Sequence, residues 1–123
     1  MNERLAKARE FCEEAKILLR EGRSYGVVNR AYYAMFPAAR VALHSLNPEL
    51  TRAKTRKTIL SRFGVHIVVG GGLDPKHGRT INQALVMRLL ADYESPRLDQ
   101  REVSELVEQT EQFIAAFEAI LCA

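Results

Sequence analysis

The sequence predicts an all-α protein, an antiparallel up-and-down bundle of four to five helices. Apolar residues recur at three- and four-residue steps through most of the chain, and the connections between those stretches are short and marked by Gly or Pro. Alternation with a period of two is missing at any useful length; the exception, Val65–Val69 (VHIVV), is too short to separate a strand from an ordered loop. With 123 residues, 47% hydrophobic and 27% charged, the chain is sized for a single domain, taken here as residues 1–123. Each amphipathic stripe must be buried against a neighbour, which favours the bundle.

The first helix is capped by Asn2, carries Leu5, Ala8, Cys12, Ala15, Leu18 and Leu19 on one face, and stops at Gly22. A second periodic stretch runs through Val27, Val28, Ala31, Ala34, Met35, Ala38, Val41, Ala42 and Leu46 and ends before Asn47-Pro48. A third, shorter helix fits residues 50–63 around Ile59, Leu60 and Phe63, and the glycine-rich segment after it, residues 64–78, reads as a plain loop. Residues 79–94 form a fourth pattern through Ile81, Leu85, Leu89 and Tyr93. Asp99, with Glu102 three residues on, resembles a capping arrangement for the last helix, whose stripe is Val103, Leu106, Val107, Thr110, Phe113, Ile114, Phe117 and Leu121.

No apolar run approaches the roughly 20 residues of a membrane span, and charges stand where a signal peptide would have its apolar core, so a cytoplasmic protein without membrane contact is expected. Cys12 and Cys122 sit in helical patterns near opposite ends and read as small core residues. His44, His66 and His77 have no metal-ligand spacing, and the Gly70–Gly72 run lacks the Gly-Lys-Ser/Thr ending of a phosphate loop. Neither a metal nor a cofactor is expected. The formal charge of +3 is mild, but Arg52–Arg62 holds five basic residues and no acidic one. That segment is compatible with a solvated helix face or with a patch for phosphates.

The second helix contains NRAYYAMFPAAR, residues 29–40, with a proline in its interior. Residues seven apart are about 700° apart around a helix, within about 20° of one face, so Arg30 and Pro37 share a stripe near Tyr33, Ala34, Val41 and His44. Tyr32 and Tyr33 point about 100° apart; one is expected in the core, and Tyr33, on Arg30's face, is expected to present its hydroxyl. Pro37 cannot donate to the Tyr33 carbonyl, so a kinked but continuous helix is expected. His44 lies about 10 Å further along the axis than Pro37, too far to stand in for a group at position 37. Small residues Ala31, Ala34, Ala38 and Ala39 suggest close approach of helices two and four across a homodimer axis.

NRAYYAMFPAARVAL, then TRKTILSRFGVHIV, then MRLLADYE, in that order, resemble the HEPN family of small helical-bundle proteins along nearly the whole chain. The resemblance implies a metal-independent endoribonuclease, often dimeric, paired with a minimal nucleotidyltransferase in a toxin–antitoxin module. It also implies a site at which Arg30 and Tyr33 are catalytic and Arg30, Tyr33, Arg56, Arg88 and Asp92 bind RNA or nucleotide. Arg30 has two readings, a phosphate ligand or an ion pair with Asp92. Two positions depart from the family pattern: Pro37 stands where the catalytic histidine of the signature would fall, and Arg56 stands where a histidine often follows threonine. Histidine suits proton transfer from a ribose 2′-hydroxyl and arginine suits the phosphorane charge; proline does neither. The expectation is a toxin–antitoxin or stress-module protein that binds RNA or nucleotide with ribonuclease chemistry weakened. Its alternatives are a non-catalytic dimerisation module holding a nucleotidyltransferase, and a ribonuclease active through other residues.

Overall fold

The computed structural model describes residues 2–91 and 98–121. Five α-helices are present: α1 (Asn2–Arg20), α2 (Ser24–Leu46), α3 (Arg56–Phe63), α4 (Pro75–Ala91) and α5 (Gln100–Leu121). A 3-10 turn, Pro48–Thr51, precedes α3, and a π-helix, Gly64–Val69, follows it directly. No strand occurs among the described residues, and the architecture is an all-α bundle. Helix α2 touches each of the other four.

That centrality follows from composition. Helix α2 buries Val27, Val28, Ala31, Tyr32, Ala34, Met35, Phe36, Ala38, Ala39 and Leu43, an apolar surface too wide for one partner helix. Its four alanines at 31, 34, 38 and 39 are 0–5% exposed inside the single chain. They allow α1, α4 and α5 to approach α2 and are therefore not free to form a dimer face, which corrects the expectation drawn from their size. The helix remains one element through Pro37.

The turn from α1 to α2 is closed by Gly22 at φ +71°, where Gly22 N–H donates to the Leu19 carbonyl (3.1 Å) and Arg23 N–H to that of Leu18 (2.9 Å). This is the paired bonding that ends a helix at a left-handed residue. Gly26 then lets α2 pass α1, since a Cβ there would stand 3.0 Å from Leu18 Cδ1. Helix α5 presents its predicted stripe, with Val103, Leu106, Val107, Thr110, Phe113, Ile114 and Phe117 all buried. Phe63 of α3 packs on Phe113 and Phe117, centroids about 6 Å away (6.1 and 6.0 Å). Arg9 and Lys16 of α1 share Glu111 of α5 at 3.0 and 2.6 Å. Cys12 is fully buried and its thiol pKa is pushed up, chiefly by burial, as a small core residue requires.

Three boundaries differ from those read from the sequence. Residues 50–63 are not one helix: Asn47 caps the 3-10 turn through Glu49 N–H (3.0 Å), and Thr55 starts α3 by accepting from Thr58 N–H (3.2 Å). The segment after Phe63 is not a loop. Gly64 keeps right-handed helical angles, and the π-helix closes with Gly70 N–H donating to the Val65 carbonyl at 3.0 Å. A Cβ on Gly71 would lie 2.5 Å from the Ile67 carbonyl oxygen, so the glycines that suggested a loop are what permit the tight exit from a helix. Helix α4 starts at Pro75, four residues before the expected 79, because Asp74 caps it (Lys76 N–H to Oδ1, 3.0 Å) and proline suits its first turn. His77 thereby leaves the expected loop and enters the core.

His77 is 4% exposed, set edge-on to Phe113 (5.8 Å), and its Nδ1 has no hydrogen-bond partner among the described residues. Burial, and then the neighbouring Lys76, hold its pKa below the usual histidine value, against a smaller upward pull from Asp74. The unfolded chain therefore takes up a proton near pH 6.5 that the folded chain refuses, and stability falls as pH drops below that value. Thermal unfolding followed between pH 7.5 and 5.5 is expected to show a falling Tm, and His77→Leu is expected to flatten that dependence.

Candidate functional site

The two adjacent tyrosines of α2 divide as the helical angle requires. Tyr32 is fully buried, its ring stacked on Phe36 (5.4 Å) and edge-on to Tyr33 (5.5 Å). Tyr33 is half-buried, and its hydroxyl receives hydrogen bonds from Arg56 Nη2 of α3 (3.4 Å) and Arg88 Nη2 of α4 (3.3 Å). Arg88 also donates from Nε to Asn29 Oδ1, one turn earlier on α2 (3.4 Å). Three helices thus deliver Asn29, Tyr33, Arg56 and Arg88 to one place, with Tyr33 as the shared acceptor.

Aromatic faces hold the arginines there. The Arg56 guanidinium lies 5.7 Å from the centroids of Tyr32, Tyr33 and Phe36, and that of Arg88 lies 5.3 Å from Tyr32 and Tyr33. Each such contact is worth about 0.5–1 kcal/mol near solvent and more when desolvated. Among the described residues, neither Arg56 nor Arg88 has a carboxylate partner, and the same holds for Arg20, Arg23, Arg40, Arg62 and Arg79. Among the described residues the buried Tyr32 hydroxyl has no hydrogen-bond partner, and burial lifts its pKa to about 12 despite the opposing pull of the Arg56 and Arg88 charges. The cluster is rich in donors and positive charge, which suits an anion with several acceptor oxygens such as a phosphate.

Arg30 is placed elsewhere. Its Nε meets Glu14 of α1 at 3.3 Å, and its guanidinium lies 5.8 Å from the Phe11 centroid. The structure gives Arg30 an acidic partner on α1, while Asp92, the partner proposed from the sequence, lies outside the described residues. Pro37 is half-buried and lines a cleft with Lys7, Ala8, Phe11 and Tyr33. Of the site residues expected from the sequence, Tyr33, Arg56 and Arg88 come together, and Arg30 joins α1.

No histidine contacts this cluster. His44 Nδ1 is 3.1 Å from Thr51 Oγ1, whose own proton goes to the Pro48 carbonyl (3.0 Å), so Nδ1 carries the hydrogen and His44 fastens the 3-10 turn. His66 is exposed in the π-helix, and His77 is buried against α5. No group of histidine, cysteine, aspartate and glutamate suited to a metal occurs among the described residues.

Sequence reading missed four residues around the site: Asn29, Lys7, Phe11 and Glu14. Asn29 precedes Tyr33 by four, which puts both on one helix face. Lys7, Phe11 and Glu14 have i, i+4, i+7 spacing, a face of α1 that its apolar stripe left unassigned.

With bundle and site in view, the chain can be placed among known proteins. It belongs to the HEPN domain family, which it matches over residues 1–120. A Methanocaldococcus jannaschii protein whose name describes it as a candidate toxin is 30% identical, the match covering 87% of this chain and 78% of that protein. UPF0332 proteins of Gloeobacter violaceus and Thermotoga maritima are 31% and 29% identical, over 88% and 94% of this chain and 85% and 86% of theirs. No helix among the described residues is long and apolar enough to cross a membrane.

Proposed function

We propose that this HEPN protein belongs to a toxin–antitoxin module and binds the phosphate of RNA or of a nucleotide between Arg56 and Arg88 at the Tyr33 hydroxyl. The observation that carries the reading is the convergence of two guanidiniums on one phenol oxygen, with no carboxylate partner for either among the described residues. An anion there offsets the mutual repulsion of the arginines and provides acceptors for donors that now share one. The name of the archaeal relative supports the toxin–antitoxin setting. Arg30, tied to Glu14, serves this reading as a support for α1, and the Tyr33 hydroxyl is the acceptor that Arg56 and Arg88 share. Ribonuclease action is weak or lost, since Pro37 supplies no base.

The partners follow the same reading: a minimal nucleotidyltransferase, and a second copy of the chain. The homodimer is better supported by α4 than by the buried alanines. Val86, Leu89 and Leu90 are 50%, 46% and 51% exposed and lie at i, i+3 and i+4, an apolar face on the helix that carries Arg88. A non-catalytic interaction module uses the same surfaces and differs only in leaving the arginine site without RNA or nucleotide.

Equilibrium binding of RNA and of nucleotides at several salt concentrations tests the proposal. Arg56→Gln and Arg88→Gln are each expected to weaken binding about tenfold and to reduce its salt dependence. Unchanged binding in both would leave the interaction module as the better account. Pro37→His is expected to introduce RNA cleavage that is lost again in Arg88→Gln, measured on a broad RNA panel. A folded Pro37→His protein that remains inert would count against a ribonuclease ancestry of this face. Sedimentation is expected to show a dimer that Leu89→Glu converts to monomer.

A further inference from the structure

Helices α4 and α5 run antiparallel: His77 meets Phe113 at one end, while at the other Arg88 reaches Asn29 and Gln100 reaches Ser24, both near the start of α2. Between the two helices lies a groove of about 480 Å³ that shares no lining residue with the Tyr33 cluster. Lys76 and Arg79 belong to its α4 wall, Glu105 and Glu108 to its α5 wall, and all four are exposed. With the His77–Phe113 contact as the register and a rise of about 1.5 Å per residue, the two carboxylates sit about 9 Å further along the groove than the two cations. Among the described residues, Lys76, Arg79 and Glu108 have no ion pair, and Glu105 pairs with Arg101 of its own helix. Lys76 also stands in the first turn of α4, which holds no acidic residue and where the helix dipole disfavours a cation; the carboxylate of Asp74, just before it, accepts from the Lys76 N–H.

We propose that this groove binds an extended peptide segment of a partner protein, with an acidic side chain at Lys76 and Arg79 and a basic side chain, three positions along the segment, at Glu105 and Glu108. The inference is independent of the phosphate reading. Two helices packed at the usual distance of about 8–10 Å leave a furrow too narrow for a third helix, which is about 10–12 Å across, but suited to a single extended chain. Side chains of such a chain alternate in direction and advance about 3.4 Å per residue, so positions i and i+3 point to opposite walls about 10 Å apart. The unpaired charges of the groove have that arrangement. Gln83, Gln109 and Gln112, exposed along the same groove, each carry donors and an acceptor and can pair with the N–H and C=O groups that an extended segment leaves open. Thr80 is buried beneath them and donates its hydroxyl to the Lys76 carbonyl at 2.8 Å, so it does not compete for the ligand. A nucleic acid would be attracted by Lys76 and Arg79 but repelled by Glu105 and Glu108, which sets this groove apart from the arginine site.

The test is an NMR titration of the isotope-labelled full chain with the blocked peptide Ac-Glu-Thr-Thr-Lys-NH2, whose threonines favour the extended form. Saturable amide shifts are expected along residues 76–83 and 105–112. Replacing the peptide's Glu or its Lys by Gln is expected to weaken binding about three- to fivefold, the usual effect of one exposed ion pair at its upper end. Shortening the spacer to one threonine, which turns both charges to the same wall, is expected to weaken it as well. In the protein, Arg79→Glu is expected to reverse the preference, so that Ac-Lys-Thr-Thr-Lys-NH2 binds more tightly than Ac-Glu-Thr-Thr-Lys-NH2, a result that loss of folding does not produce. The absence of saturable shifts, or equal affinity for the neutral Ac-Gln-Thr-Thr-Gln-NH2, would overturn the proposal. Tighter binding of unblocked triglycine, whose own termini supply both charges, would overturn the partner segment and assign the groove to free peptides. Shifts confined to Tyr33, Arg56 and Arg88 would overturn the groove altogether.

Discussion

Helix α2 is packed by every other helix, and the arrangement of this molecule depends on that burial. A helix surrounded in this way has a narrow strip left for solvent, and whatever polar groups the strip carries are held by the core beneath them. Tyr32 and Tyr33 mark the edge between core and strip. The first is fully buried under Phe36, and the second, about 100° round the helix, reaches the surface with its hydroxyl. The backbone that fixes one ring fixes the other, so the acceptor that gathers Arg56 and Arg88 is held by the hydrophobic core and not by a loop.

Electrostatics then gives the strip its character. Two guanidiniums brought to one oxygen repel each other, and in most protein surfaces a carboxylate would be interposed; the α1–α5 contact shows that solution, with Arg9 and Lys16 sharing Glu111. At Tyr33 the compensation comes from aromatic faces, which attract cations without neutralising them. Among the described residues no carboxylate neutralises the two guanidiniums. A face of this kind is costly for a purely structural contact and favourable for an anionic ligand, the distinction on which the functional reading rests.

Much of the bundle was legible in the sequence because its signals are strong and local. The stripe of α5 from Val103 to Phe117 repeats without interruption, and Gly22 marks the end of α1 three residues beyond Leu19, its last periodic position. The π-helix was not legible. Gly64 and Gly70–Gly72 weigh against any helix by propensity, and the need for glycine beside the Ile67 carbonyl exists only once the π-turn is in place. His77 was misplaced for the same reason, since its burial follows from Asp74-Pro75 starting α4 early. At the site, Tyr33, Arg56 and Arg88 were marked by type and by the resemblance. Arg30 had two readings, a phosphate ligand or a pair with Asp92, and its contact with Glu14 was not among them, because helical periodicity says which residues share a stripe and not which helix covers it. Glu14 and Phe11 decide that question from α1, 16 and 19 residues earlier in the chain.

The central claim is that the anion site lies between α3 and α4 over Tyr33, not at Arg30. Arginine side-chain Nε–H resonances, assigned by single substitutions and followed by NMR during titration with inorganic phosphate, report on this directly. The account predicts saturable shifts of the Arg56 and Arg88 signals while the Arg30 signal, held by Glu14, stays in place. A saturable shift of Arg30 with Arg56 and Arg88 unmoved would contradict it.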